Sequence, residues 1–531
     1  MSLGLYKILP KETFPVGGAE EVGNKAWNLM RMSAAGLPVP AGFVLPTEWC
    51  GRIASPGNEH DLERALAAGI AALETATGLG FGSRRRPLLV SVRSGAAVSM
   101  PGMMETVLNI GANPETVEGL IGDTGNPRLA WDCYRRLIQG YAEVVQALPR
   151  GPFEELVAQA LTRSGIDAER KLDYSILRQL THDLLDCFRE FSGIPFPNDP
   201  YEQLKRAALA VFRSWSLPKA AAYRTANGID SCGGTAVTIQ RMVYGNAGGA
   251  SGAGVAFTRD PATGVRGLYL DFEFNAQGED VVAGRLAARG DRQLRRTLPA
   301  IWGQLEEAGR TVEALFQDAQ DFEFTLQSGK LFLLQARSAK RTPWAALRIA
   351  VDQVEEGLIT QAEGLARVAR MDVNSVTRTR LSRTTAQPLA QAQVAGMGVA
   401  SGAIALDPEA ALRLAAAGKR AILVRREMDT ADIEGMIHAA GILTATGSRT
   451  SHAAVVARQL GKVCLVACND LQIDLSQRCC RIGADTLREG EFLSLDGNDG
   501  GIYAGQLEVV TERPGGELEK IRSWQLTAVA S

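Results

Sequence analysis

The chain contains only four histidines, His60, His182, His438 and His452, so any histidine chemistry has few addresses. His452 stands in the string GILTATGSRTSHAAVVARQLGK. There the run GILTAT predicts a strand and GSR a turn. HAAVVARQL predicts a helix that Thr450 or Ser451 can cap and that Gly461 can end in a left-handed turn. His452 then falls in the first helical turn, where free amide N–H groups and the helix dipole favour a negative group such as a phosphoryl. An imidazole nitrogen is nucleophilic near neutral pH, and its phosphoramidate is reactive enough to pass the group on. A surface histidine beside an ordinary helix cap is the plainer alternative.

A second constellation lies in QDFEFTLQSGKLFLLQARSAKRT, where two strand-like runs flank a Ser328–Gly329 turn and predict a hairpin. By the two-residue period of a strand, Asp321 shares a face with Glu323, and Gln335 shares a face with Arg337, apolar residues taking the other side. Carboxylate, amide and guanidinium together suit Mg²⁺ and a triphosphate, since the metal takes hard oxygen ligands and the guanidinium is a fork of donors. A solvated hairpin with cross-strand charge pairs fits the same spacing. Upstream, Gly245, Gly248, Gly249, Gly252 and Gly254 punctuate MVYGNAGGASGAGVAFTRDP. Such glycines let amides approach phosphates closely, but flexible turns share this composition.

The elements that must position these residues follow from a chain of 531 residues, long enough for three or four domain-sized units. A hydrophobic fraction of 46% with 22% charged residues is that of an ordinary globular protein, and a net charge of −2 gives no electrostatic case for nucleic acid or an anionic membrane. No apolar run reaches the roughly 18 residues of a membrane span, and the first ten residues lack the form of a secretory signal. The eight cysteines form no CxxC pair, and the Cys464/Cys468 and Cys479–Cys480 pairs lack nearby histidines to complete a zinc set, which predicts buried thiols in a cytoplasmic protein. Short strands and helices alternate up to about Gly111; KAWNLMRMSAAGLPVPAGFVL reads as a helix closed near Gly36 and then a strand, and RRPLLVSVRSG as a buried strand. Helical spacing runs from Asn126 to Ser214, strand signals from Thr235 to Arg341, then a helical pair and a polar linker. A second α/β unit spans about Val394 to Gly505, and the tail reads as the start of a helix leading onward.

The string TSHAAVVAR, preceded by DIEGM and GILT and followed by LGK, resembles the phosphohistidine domain of the dikinase family that includes pyruvate, phosphate dikinase and phosphoenolpyruvate synthase. The resemblance implies that His452 carries the phosphoryl group. It extends to VGNKAWNL, implying a phosphate-binding Lys25. LLVSVRSGAAVSMPGMMETVLNIG follows the pyruvate, phosphate dikinase version, implying a phosphate-binding Arg93 and a loop, Ser99 to Thr106, over the terminal phosphates. GGTAVTIQRMVYGN resembles the adenine-side strand, with Gln240, Met242 and Val243 at the hinge. DFEFNAQGEDVVAG directs Asp271 and Glu279 to the same site. The hairpin resembles that of the family's ATP-grasp module, implying nucleotide contacts from Asp321 and Arg337 and metal ligation by Glu323 and Gln335.

The implied fold is α+β and multidomain: an ATP-grasp-type nucleotide-binding domain (1–125 and 215–341) with a helical insertion (126–214), a helical linker (342–393), a swivelling β/β/α phosphohistidine domain (394–510) and a tail (511–531). The implied reaction is Mg²⁺-dependent transfer from ATP to His452, with inorganic phosphate as co-substrate. Three departures stand out. Asp271 replaces the usual glutamate, Ser448 and Arg449 replace Gly-Met before Thr450, and the family's C-terminal (β/α)₈ barrel does not follow. The expected acceptor is therefore a separate barrel protein; a homodimer is left open. Two other readings are a self-sufficient kinase of a small molecule and a non-catalytic nucleotide-binding regulator. Thr450 matches a residue modified by a regulatory kinase in plant relatives, although a cap explains it sufficiently.

Overall fold

A computed structural model describes residues 4–10, 12, 14–53, 59–98, 105–166, 168–226, 229, 233–278, 290–382, 386–428, 432–447 and 452–530. Packing divides the chain into two units, Met1–Gly252 with Thr325–Ala336, and Ala253–Phe324 with Arg337–Ser531. The architecture is mixed α/β throughout.

In the first unit, five antiparallel strands lie in the order Tyr6–Ile8, Gly42–Leu45, Ala236–Arg241, Val90–Gly95 and Thr106–Ile110. The expected helix ends at Ala34, and Gly36 adopts a left-handed φ of 80°. The expected helical stretch is four helices, Pro127–Val144, Arg150–Ser164, Tyr174–Ser192 and Pro200–Ser214. Leu129, Cys133, Leu137 and Tyr141 recur at helical spacing, as do Leu177, Leu180, Leu184 and Phe188, and all enter one core. Asn126 and Asp173 cap the first and third of these helices with their side chains. Phe196 meets Tyr141 and Phe188 edge-on at 5.1 and 5.2 Å, closing that core.

The hairpin strands Gln320–Gln327 and Lys330–Ser338 join Gly252–Arg259 and Arg266–Phe274 in a four-stranded sheet. Ser328 (φ 50°) and Gly329 (φ 76°) are both left-handed, as a two-residue type I′ turn requires. Strand signals alone do not describe 235–341: helices Gly290–Thr297 and Pro299–Phe316 interrupt them. Pro299 starts the second, and Ile301, Leu305, Ala308 and Val312 form its buried stripe. Arg259, 1% exposed, ties this layer together, with Nε 2.6 Å from Glu313 and a terminal nitrogen 2.6 Å from Glu356.

The rest of the second unit is built on an eight-stranded sheet. Val399–Ala405, Ala421–Arg425, Gly441–Thr444 and Val463–Val466 run parallel at its centre, and antiparallel strands flank them. Leu471–Asp474, Cys479–Ile482 and Asp485–Arg488 add a three-stranded sheet. The polar linker, whose composition predicts no strand, contains one: Arg378–Leu381 pairs antiparallel with Val509–Glu512. The tail also differs from expectation. Helix Gly515–Ala530 folds back, and Leu518, Ile521 and Trp524 pack with Leu347, Ala350, Val351 and Val368 of helices Pro343–Glu355 and Gln361–Val368. Of the seven described cysteines, all free, five are buried and Cys50 and Cys479 are half-buried. Among the described residues no helix is long and apolar enough to cross a membrane.

Trp524 is 7% exposed, so Trp524→Ala should cost about 3 kcal/mol through the cavity it leaves, read as a lowered thermal transition of the second unit.

Candidate functional site

Helix Gly18–Ala34 is broken at Gly23, which takes φ 76° and ψ 152°. A Cβ at that position would sit 2.2 Å from the Gly95 carbonyl oxygen, so two backbones meet where no side chain fits. The Asn24 N–H donates to the Ala96 carbonyl at 2.9 Å, fixing the approach. Lys25 follows two residues beyond Gly23 and is exposed, while Arg93 precedes Gly95 by two and is half-buried. The GNK string thus sets the lysine and the arginine from one backbone junction. From the same helix, Asn28 Nδ2 donates to the Ala336 carbonyl at 3.0 Å, which ties the strand carrying Gln335 to the helix carrying Lys25. Sequence reasoning passed over Asn28, although it lies one helical turn beyond Lys25 on the same motif.

The hinge residues lie on or just beyond the strand paired with that of Arg93. Gln240 is buried, and its Nε2 donates to the Pro40 carbonyl at 3.0 Å, which engages that amide within the fold. The Met242 N–H donates to Leu89 at 2.9 Å. Met242 and Val243 are half-buried.

On the second unit, Phe322 and Phe324 alternate with Asp321 and Glu323 and are buried, as the period-two pattern predicts. On the return strand, Leu331 and Leu333 are also buried and share the parity of Gln335 and Arg337, so the polar face is confined to its last residues. Asp321 receives the Arg337 Nε on both oxygens, at 2.7 and 3.0 Å. Burial pushes its carboxyl up to about 6, against the pull of the Arg337 guanidinium. Asp321 thus positions Arg337, whose side chain remains 46% exposed. Glu323 is only half-buried. Asp271 is 2% exposed and lies within the electrostatic reach of Arg458. Glu279 and the loop from Ser99 to Met104 lie outside the described residues.

His452 is the first residue of helix His452–Gln459, after the buried strand Gly441–Thr444, as the strand–turn–helix reading requires. Ala454 and Ala457 are fully buried against the sheet, so the small residues of the HAAVVAR string seat the helix closely. Gly461 takes φ 63°, and the Lys462 N–H reaches back to Ala457 at 2.9 Å, ending the helix where expected. Ser448, Arg449, Thr450 and Ser451 lie outside the described residues.

No group of three His, Cys, Asp or Glu side chains among the described residues can enclose a metal. Asp321 is engaged by Arg337, which leaves Glu323 as the carboxylate of this strand face with no ion pair among the described residues. That sparse set fits Mg²⁺, which commonly uses one or two protein ligands with substrate phosphates and water. A cavity of about 750 Å³ elsewhere in the second unit is walled by Arg266, Glu306, Arg310, Glu313 and Glu356, and includes none of the predicted residues.

Residues 58–292 match the family described as "Pyruvate phosphate dikinase, AMP/ATP-binding domain", and residues 417–500 match "PEP-utilising enzyme, mobile domain". The chain belongs to the pyruvate, phosphate dikinase family. Pyruvate, phosphate dikinase of Clostridium symbiosum is 41% identical over 509 residues, covering 95% of this chain and 58% of that protein. The Rhizobium meliloti (strain 1021) member is 39% identical over 539 residues, covering 96% and 60%. Pyruvate, phosphate dikinase 2 of Zea mays is 40% identical over 514 residues, covering 95% and 58%. The chain therefore spans somewhat over half the length of these relatives.

Gly23→Ala should destabilise the first unit by about 2 kcal/mol or more, because it adds a Cβ against backbone at a left-handed φ; chemical denaturation reads this directly. For Asp321 the folded-state pKa lies above the ordinary carboxylate value of 3.8, because burial disfavours the charged form. Its relative stabilisation is full below that value and is lost as pH rises through about 6. Relative to wild type, Asp321→Asn should therefore gain about 2 kcal/mol of stability between roughly pH 4.5 and 7.5. Denaturation curves at both pH values test it; a constant difference would remove the raised pKa.

Proposed function

We propose that the chain uses MgATP to phosphorylate its own His452 and passes the phosphoryl group to an acceptor on another protein or domain. The observation that carries this reading is His452 at the start of its helix, in a domain of the phosphohistidine type, on the same polypeptide as the AMP/ATP-binding domain. The family resemblance supplies the sequence of steps. An imidazole nitrogen attacks the β-phosphorus of ATP, the bond to the α-phosphate oxygen breaks, and AMP leaves. Inorganic phosphate then takes the terminal phosphoryl as pyrophosphate, leaving phosphohistidine.

In this reading Lys25 and Arg93, set by the Gly23–Gly95 junction, neutralise charge on the transferring phosphates. Arg337 does the same, oriented by Asp321. Glu323 and Gln335 would hold Mg²⁺, which when bound supplies charge neutralisation at the phosphate oxygens. Gln240, Met242 and Val243 line the adenine side, with Asp271 and Glu279 contributing at the same site. The architecture is then an ATP-grasp module with a helical insertion, a helical linker and a swivelling carrier, working in the cytoplasm.

Incubation with β- or γ-labelled ATP, with and without inorganic phosphate, tests the reading. Both labels should appear on protein as acid-labile, base-stable phosphate, the γ-label should be lost on adding phosphate, and His452→Ala should abolish both. Arg93→Ala should slow labelling about 100-fold, the usual effect of deleting one charge-stabilising group. Absence of label on the wild-type protein would leave a non-catalytic nucleotide-binding protein.

A further inference from the structure

The proposed reaction makes no use of a cavity of about 430 Å³ in the second unit, walled on one side by the linker and on the other by the base of the eight-stranded-sheet domain. It reaches Gly461, just past the end of the His452 helix, so about 13 Å of helix separates it from His452. Four cations line it: Arg378 from the linker strand, Arg420, Arg458 and Lys462. Among the described residues, Asp372 is the one lining carboxylate. This volume suits a metabolite-sized ligand.

The charges are only partly balanced by the fold. Arg378 pairs with Glu512 at 3.1 Å and lies 4.4 Å over the Trp344 ring. Arg458, 5% exposed, donates to the Ala395 carbonyl at 3.0 Å and feels the fields of Asp271 and Asp260. Among the described residues, Arg420 and Lys462 form no ion pair. The Lys462 ammonium donates to the carbonyls of Ile437 and Ala439, at 2.7 and 2.8 Å. Burial, and then the neighbouring Arg420 charge, pull it below its ordinary range. The carbonyl end of the His452 helix supplies only about half a negative charge. Like charges held together in a half-enclosed space are unfavourable unless an anion joins them.

We propose that this cavity binds a small anion bearing two or more phosphoryl charges, held by Arg378 on the linker side and by Arg420, Arg458 and Lys462 on the other. Guanidinium forks match phosphate oxygens geometrically, and Arg420 is exposed at the mouth, where it meets an incoming ligand first. Because the anion touches both walls, it fastens the linker to the domain that carries His452. That last consequence rests on the carrier reading proposed above; the binding does not.

The test is calorimetric titration of the 531-residue chain with inorganic pyrophosphate, without nucleotide, and with citrate as a non-phosphoryl polyanion. The Arg420 side chain makes no hydrogen bond among the described residues, so Arg420→Glu should fold; Lys462→Gln is the second variant. Pyrophosphate binding should weaken at least tenfold in Arg420→Glu, weaken in Lys462→Gln, and persist in Arg93→Ala, which alters the proposed nucleotide site. Unchanged affinity in folded Arg420→Glu, loss of all binding in Arg93→Ala, or no binding by wild type would each overturn the site. Citrate binding as tight as pyrophosphate would overturn the phosphoryl preference. A chain that takes no label from ATP yet binds pyrophosphate through Arg420 would sink the proposed function and keep this site.

Discussion

Where Gly23 meets Gly95, backbone lies on backbone, and the placement of two cations depends on that junction. Any side chain at Gly23 pushes the helix away from the strand, carrying Lys25 off with it. The left-handed φ and the missing Cβ are two requirements that only glycine meets together. The neighbouring Asn24–Ala96 hydrogen bond and the Asn28 contact to Ala336 extend the same junction toward the hairpin strand. Long cationic side chains are otherwise mobile, and fixing their bases is what a rigid backbone contact contributes to anion recognition.

In the second unit two arginines are ordered by carboxylates. Asp321 holds Arg337 on both oxygens, and Arg259, itself enclosed, is held by the buried Glu313 and the more exposed Glu356. Gln353 adds a donor to Glu313 at 2.6 Å. Such pairs fix geometry more reliably than they add stability, because the cost of removing charges from water offsets much of their attraction. The difference between the two arginines is exposure: Arg259 is enclosed and joins layers, whereas Arg337 keeps a solvent-facing side that can meet a ligand.

Local patterns carried much of the fold. The helices between Pro127 and Ser214, the Ser328–Gly329 hairpin, and the strand leading to the His452 helix were legible because their periodicity and punctuation are short-range. Helices Gly290–Thr297 and Pro299–Phe316 were not, since they lie inside a stretch read from its strand segments alone. The pairing of Arg378–Leu381 with Val509–Glu512 was not legible either, because it joins segments more than a hundred residues apart and the first looks like polar linker. At the site, residue types could be read from motifs, but their engagement could not. That Asp321 positions Arg337, that the Gln240 amide is taken by Pro40, and that Asp271 lies near Arg458 all depend on burial and long-range neighbours.

The antiparallel pair Arg378–Leu381 and Val509–Glu512 brings together the two points where the polypeptide enters and leaves the domain between them. Arg378 and Arg380 both grip Glu512 across that pair. Leu381 and Val509 of the ribbon pack with Val399 and Tyr503 of that domain, so a single seam closes both of its ends and neither can fray without the other.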